Sequence, residues 1–176
     1  MGELPCICLS KGKRMLTIYI DADACPVKDE IYRVALRYKM PVKVVANNWM
    51  RVPNSPLIEL VVRSEVGLNI VDDWIAEQSG LGDIVVTSDI PLAARCVAKQ
   101  ARVLDPKGRV FTDADIGETL AMRDLFDGLR QTGAITGGPR PMAGRDVSKF
   151  LSKLDEIINV VKRIKPKPSA PGPKED

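Results

Sequence analysis

The chain has 176 residues, 45% of them hydrophobic, with 26 Lys+Arg against 23 Asp+Glu, four Cys and no His. That length suits one domain with a sizeable core. The missing histidine excludes Ser-His-Asp and Cys-His nucleophile pairs, an imidazole general base and any imidazole zinc site, so a metal has to sit on carboxylates, thiolates or backbone carbonyls.

The net charge of +3 is unevenly spread. Lys11, Lys13 and Arg14 against Glu3 leave +2 on residues 1–14, and Lys162, Arg163, Lys165, Lys167 and Lys174 against Glu175 and Asp176 leave +3 on residues 162–176; the body, 15–161, carries −2. Basic ends can grip phosphates, although short charged tails are mostly just solvated. No apolar run reaches the roughly 18–20 residues that cross a bilayer. The first residues lack the charged-then-apolar order of a secretory signal, so the sequence reads as cytoplasmic, with its cysteines reduced. Cys6-x-Cys8 could hold a soft metal but stands in a stretch without periodicity. Residues 1–14 read as an extension, 15–161 as one α/β domain, and 162–176, rich in Pro and Lys, as a disordered tail.

Leu16–Ile20 is a short apolar, β-branched run ending in Asp21, the pattern of a buried strand. Cys25-Pro26 then opens a predicted helix with Pro26 in its first turn and Val27, Ile31, Val34, Ala35 and Tyr38 along one face; Pro41 ends it. Val42–Ala46 is a second strand, 47–56 a polar loop and Leu57–Val62 a third strand. A helix over Ile70–Gln78 closes at Gly80-Leu81-Gly82. Asp83–Thr87 is the fourth strand. Ser88-Asp89 opens another helix, with Pro91 in its first turn and Leu92, Cys96 and Val97 inward. Arg102–Leu104 is a short strand before the turn Asp105-Pro-Lys-Gly108. Ile116–Leu129 is helical through Met122, Leu125, Phe126 and Leu129. A Gly/Pro loop, 132–144, leads to a last helix, Asp146–Val161, with Phe150, Leu151, Leu154, Ile157, Ile158 and Val161 as its core stripe. Strands alternating with helices predict a three-layer α/β sandwich around a mostly parallel sheet of four to five strands.

In open parallel sheets, ligands bind beyond the carboxyl ends of the strands. Here the first strand runs into Asp21-Ala-Asp23 and the fourth into Thr87-Ser-Asp89, while Asp72-Asp73 lies in the helix before the fourth strand. Aspartates gathered from separate segments repel one another unless protons or a cation intervene. Such an oxygen-only set suits Mg²⁺ or Mn²⁺. Each acid also has a plainer reading: Asp89 as a helix N-cap, Asp21 and Asp23 as an Asx-type turn, Asp72 and Asp73 as partners of a helix dipole. Their joint placement argues for a site. Cys25, with no histidine to activate it, reads as structural. Gly80-x-Gly82 precedes a strand and is no dinucleotide fingerprint. Gly137-Gly-Pro-Arg140-Pro141 offers backbone N–H groups and a guanidinium to a phosphate, or is simply a crossing loop.

Ile20-Asp-Ala-Asp-Ala-Cys-Pro-Val27, Asp72-Asp-Trp-Ile75, Asp83-Ile-Val-Val-Thr-Ser-Asp-Ile-Pro-Leu-Ala93, Gly137-Gly-Pro-Arg-Pro141 and Arg145-Asp-Val-Ser-Lys-Phe150 resemble, in order, the blocks of the bacterial YaiI/YqxD family. The resemblance covers roughly residues 15–155. It implies a PIN-like nuclease fold, with a carboxylate cluster holding Mg²⁺ or Mn²⁺ for phosphodiester hydrolysis. Transferred by position, the first-strand acid is Asp21 or Asp23, the mid-chain acid Asp72 or Asp73, and the Thr-x-Asp acid Asp89. The helix-borne glutamate that PIN nucleases often add has no clear match.

The expectation is a metal-dependent, ribonuclease-like hydrolase of single-stranded nucleic acid. Asp21, Asp23, Asp72 and Asp89 are its candidate catalytic groups, and these with Asp73 its candidate metal ligands. Lys28, Arg51 and Arg140 are placed near the substrate backbone, Thr87 and Ser88 beside the phosphate, and Trp49 against a base. A strand followed by Asp-x-Asp also resembles the opening of haloacid-dehalogenase-type phosphatases, with Asp21 as nucleophile and Thr87 as phosphate-binding hydroxyl. A non-catalytic nucleic-acid or protein-binding module with a degenerate site is the third reading.

Overall fold

The computed structural model describes residues 15–65, 67, 69–133 and 140–163. The expectations for residues 1–14, for Cys6 and Cys8, for Gly137–Pro139 and for the tail from residue 164 lie outside the described residues. Five parallel strands and one antiparallel strand form a single sheet in the order β3-β2-β1-β4-β5-β6. The strands are β1 (Ile18–Asp21), β2 (Val42–Ala46), β3 (Ile58–Val62), β4 (Ile84–Val86), β5 (Arg102–Leu104) and β6 (Val110–Phe111). The α/β class follows the sequence pattern, but the sheet has one strand more than predicted. β6 is two residues long, too short for any periodicity. It exists because the turn after β5 folds the chain back, pairing Leu104 with Val110 and Val103 with Phe111.

Side chains alternate across the sheet and sort the helices into two layers. Ile18, Ile20, Val42, Val44, Ile84, Val86 and Leu104 face one core, with Ile31 and Val34 of α1 (Lys28–Tyr38) and Phe150, Leu154 and Ile158 of α5 (Gly144–Arg163). Tyr19, Val45, Val85 and Val103 face the other, against α2 (Ile70–Gln78), α3 (Ile90–Ala98) and the start of α4 (Asp113–Gln131). Both faces are covered, which is why the strands read as continuous apolar runs.

Several boundaries move, each for a local reason. Pro26 lies before α1, because Ala22–Ala24 first form a single 3-10 turn and α1 begins at Lys28. α1 ends at Lys39 (φ 54°) rather than at Pro41, with the Lys39 N–H donating to the carbonyl of Leu36. α5 runs on to Arg163, so Lys162 and Arg163 are helical and not part of a tail; Lys162 Nζ donates to the carbonyl of Tyr38, tying α5 to α1. Val97 is only half-buried; Leu92, Ala93 and Cys96 carry the inner face of α3.

The largest correction is α4. Met122, Leu125 and Phe126 are exposed, and α4 packs through Ile116 and Leu120 instead. At about 100° per residue the two stripes lie on opposite sides of the helix. Periodicity identifies an apolar stripe without saying what covers it. The helix has its own start signal, a capping box in which Thr112 and Asp115 exchange side-chain-to-backbone hydrogen bonds. No helix among the described residues is long and apolar enough to cross a membrane.

The β5–β6 turn presses directly on α5. Gly108 has φ +83°, and a Cβ there would lie 2.8 Å from the Phe150 amide nitrogen and 2.9 Å from the Lys149 carbonyl carbon. Gly108→Ala is expected to cost about 2–4 kcal/mol, from left-handed strain plus a clash with helix backbone that cannot yield. Urea denaturation monitored by circular dichroism checks this.

Candidate functional site

The sheet register brings the acids together. β1 pairs with β4 through Ile20↔Val86, so Asp21 and Thr87 are the next residues along adjacent strands. By alternation both side chains fall on the α2–α3 side, with Tyr19 and Val85. Thr87 is fully buried and Asp21 nearly so. Thr87 Oγ1 donates to Asp21 Oδ2 at 3.2 Å and accepts from the Asp89 N–H at 3.0 Å. It therefore bridges the two strand-end acids, which leaves the phosphatase reading without an exposed phosphate-binding hydroxyl. Ser88, next along the chain, is exposed.

Asp89 occupies the N-cap position of α3 but makes no side-chain capping bond. The plain reading of this acid thus loses its main support. The Asp89 carboxylate instead meets Arg123 of α4, Oδ1 to Nη1 at 3.5 Å, and its charge acts on Asp72 in the first turn of α2. Arg123 is a residue that sequence reasoning missed. Its only signal is an arginine within a predicted amphipathic helix, which does not say what the helix packs against.

Neighbouring Asp72 and Asp73 point differently, as adjacent helical positions must. Asp73 Oδ1 binds Arg95 Nη1 at 2.6 Å on the outside. Asp72 turns to the strand edge, where desolvation, then the charges of Asp89 and Asp21, then the contact with Asp89, push its carboxyl up to about 6. Asp21 is also raised, first by burial and then, against the Thr87 bond, by Asp23 and Asp89. Asp21, Asp72 and Asp89 are thus three mutually repelling acids from β1, α2 and α3.

Asp23 stands at the rim. Its Oδ2 accepts from the backbone N–H and the side-chain Nδ2 of Asn47 at 3.2 and 2.9 Å. Asn47 is a second missed residue, and one with a signal: β1 pairs with β2 through Asp21↔Val45, which carries Asp23 onto Asn47 two residues on. Lys28 Nζ donates to the carbonyl of Ala22, bracing the turn that carries Asp23. Trp49 is 76% exposed and Arg51 is exposed too, both in the loop after β2. Arg140 is paired through Nη2 with both oxygens of Asp146 (3.0 and 3.1 Å), at the start of α5.

The donor set suits a hard dication: carboxylate oxygens only, two of them kept from ionising by burial and then by neighbouring acids. Burial and the charges of Asp89 and Asp21 oppose ionisation of Asp72, an opposition that a bound cation would relieve. Among the described residues, no three His, Cys, Asp or Glu side chains are already close enough to hold a metal ion, so ligation asks these aspartates to rotate inward.

Comparison with known proteins fits this arrangement into a family. The pattern described as "Uncharacterized BCR, YaiI/YqxD family" matches residues 19–160, nearly the whole folded region. The chain belongs to the YaiI/YqxD family. A UPF0178 protein of Bradyrhizobium diazoefficiens is 58% identical over 146 residues, covering 83% of this chain and 87% of the relative. A UPF0178 protein of Rhodopseudomonas palustris strain BisB18 is 57% identical over 146 residues (83% and 94%), and one of Nitrobacter winogradskyi 53% over 148 (84% and 94%). No solved structure matches. The YaiI/YqxD region spans all three acid-bearing elements and α4, so Arg123 falls within it as well.

The raised carboxyls set a pH dependence. A carboxyl whose pKa is higher folded than unfolded binds protons better in the native state, so stability falls as pH rises between the two values. For Asp72 that window runs from about 4 to about 6; Asp21 and Asp105 act with the same sign. Asp115 and Asp146 are lowered, so their contributions are lost only as pH falls below the ordinary carboxylate range. In EDTA, the melting temperature is expected to drop between pH 4.5 and 6.5, and Asp72→Asn to flatten that drop. Thermal melts across the range check it.

Proposed function

We propose that this YaiI/YqxD protein is a Mg²⁺- or Mn²⁺-dependent phosphodiesterase of single-stranded nucleic acid, with RNA preferred. One observation carries the reading: Asp21, Asp72 and Asp89, from three separate elements, converge at the carboxyl edge of a parallel sheet, at the point between β1 and β4 where the strand order turns back. The resemblance to PIN-like nucleases supports the same chemistry and is the source of the RNA preference. Asp21, Asp72 and Asp89 would hold the cation, with Asp23 at the rim and Asn47 fixing its direction; Asp73, turned to Arg95, takes no part in the cation-free arrangement.

A cation held by these carboxylates would supply Lewis acidity toward a phosphoryl oxygen and a bound water of lowered pKa. The protein supplies the rest. Thr87 holds Asp21 and the start of α3 in fixed relation, and Asp72 would add its carboxylate to the cation from the first turn of α2. Arg51 and Trp49, exposed in the loop after β2, would meet the strand, guanidinium to backbone and ring to base.

The test is cleavage of labelled single-stranded RNA and DNA in Mg²⁺, Mn²⁺ or EDTA, wild type beside an Asp21→Asn/Asp89→Asn variant purified identically. Metal-dependent cleavage lost in the variant is the expected result. Equal residual cleavage in both would discard the nuclease reading, and metal-independent RNA binding without turnover would establish the binding module in its place.

A further inference from the structure

We propose that Arg123 is a substrate-phosphate contact whose guanidinium rests on Asp89 until a cation takes that carboxylate. The inference rests on the cleavage reading above and adds to it a residue and an order of events. Arg123 Nη1 is 3.5 Å from Asp89 Oδ1, and its Nε is 3.8 Å from Asp127 Oδ2, one turn further along α4. Both separations are long for an arginine–carboxylate pair, where about 2.7–2.9 Å is usual. The guanidinium therefore sits between two acids and is held bidentately by neither. Arg95 on Asp73 (2.6 Å) and Arg140 on Asp146 (3.0 Å) are more closely engaged.

Asp127 is also paired with Arg130 at 3.1 Å, so acids and arginines alternate from the strand edge outward along α4. This arrangement lets Arg123 leave Asp89 without losing every partner, because Asp127 travels on the same helix at i+4. Asp89 could not keep the guanidinium close while its carboxylate served a cation, since the two positive charges would repel. The displaced group keeps its planar fork of N–H donors within reach of the site, and the anion it matches there is a phosphate.

The test uses the full chain carrying Arg123→Gln, with two readouts that move in opposite directions. Mn²⁺ titrated by calorimetry should bind about two- to fivefold tighter, since an exposed competing ion pair of that size is removed. Fluorescein-labelled single-stranded RNA, bound in Ca²⁺ and monitored by anisotropy between 50 and 300 mM KCl, should bind more weakly. Its log K against log salt slope should shrink by about 0.7, the loss of one phosphate contact. Arg123→Lys should retain most of that slope. A merely structural role would change the melting temperature and leave the slope unmoved. If either half fails while the wild type binds Mn²⁺, this proposal is overturned and the cation site stands. If the wild type binds no Mn²⁺, both fall together.

Discussion

Asp72→Asn and Asp89→Asn are each expected to lower metal-dependent cleavage by about 10²–10³-fold, measured as kcat/KM on a labelled single-stranded RNA. The size follows from removing one anionic ligand from a dication whose transition-state charge stabilisation is several kcal/mol. Asp23→Asn should fall less, by about 10–100-fold, because Asp23 is exposed at the rim and its orientation comes from Asn47. Asn47→Ala should then resemble Asp23→Asn in direction. Asp73→Asn should change little, since that carboxylate is occupied by Arg95. The ordering separates a cation site from a general electrostatic field: if the four Asp→Asn substitutions reduced turnover equally and Asn47→Ala did not, net charge and not ligation would be the cause. Asp72→Asn carries its own folding control, because removing a desolvated carboxylate repelled by Asp21 and Asp89 should raise the melting temperature of the cation-free protein at pH 7.5. A variant that is more stable and nearly inactive cannot be explained as misfolding.

Much of this site was legible in the sequence, and the reason is the parallel sheet. Asp21 and Asp89 follow apolar β-branched runs, and the chain after such a run in an α/β domain must emerge at the carboxyl edge. The α2 span, Ile70–Gln78, was readable together with its Gly80-Leu81-Gly82 stop, which put Asp72 and Asp73 in its first turn. Periodicity does not give rotation. Which of the two faces inward depends on how α2 packs against Val45, Val85 and its neighbours, a tertiary fact. The same limit explains α4: the stripe of Met122, Leu125 and Phe126 was readable, yet α3 is covered by Ile116 and Leu120, and Arg123 points at the site because of that choice. β6 escaped because two residues carry no pattern, and the 3-10 turn at Ala22–Ala24 because Pro26 is equally at home before a helix and in its first turn.

Phe150→Ala is the complementary experiment, destabilising the fold without touching a carboxylate. Phe150 is fully buried in the layer between the sheet and α5, beside Leu154 and Ile158 and under the Gly108 turn. Truncation leaves a cavity that helix α5 cannot close, because its other core side chains are already seated, and the expected loss is about 3–5 kcal/mol in urea denaturation. For a domain of this size that lowers the melting temperature by roughly 6–20 °C. The acids lie toward the opposite layer, on α2 and α3, with Asp21 and Thr87 turned to that side of the sheet. Turnover per folded molecule, measured well below the new melting temperature, should therefore stay within about twofold of wild type. The Mn²⁺-induced rise in melting temperature should also survive in Phe150→Ala and vanish in Asp72→Asn, because ligand stabilisation depends on binding to the native state and not on how stable that state is. A Phe150→Ala protein that folds but no longer responds to Mn²⁺ would mean that the α1–α5 layer holds the strand edge in shape, and that the carboxylates are not positioned by β1, α2 and α3 alone.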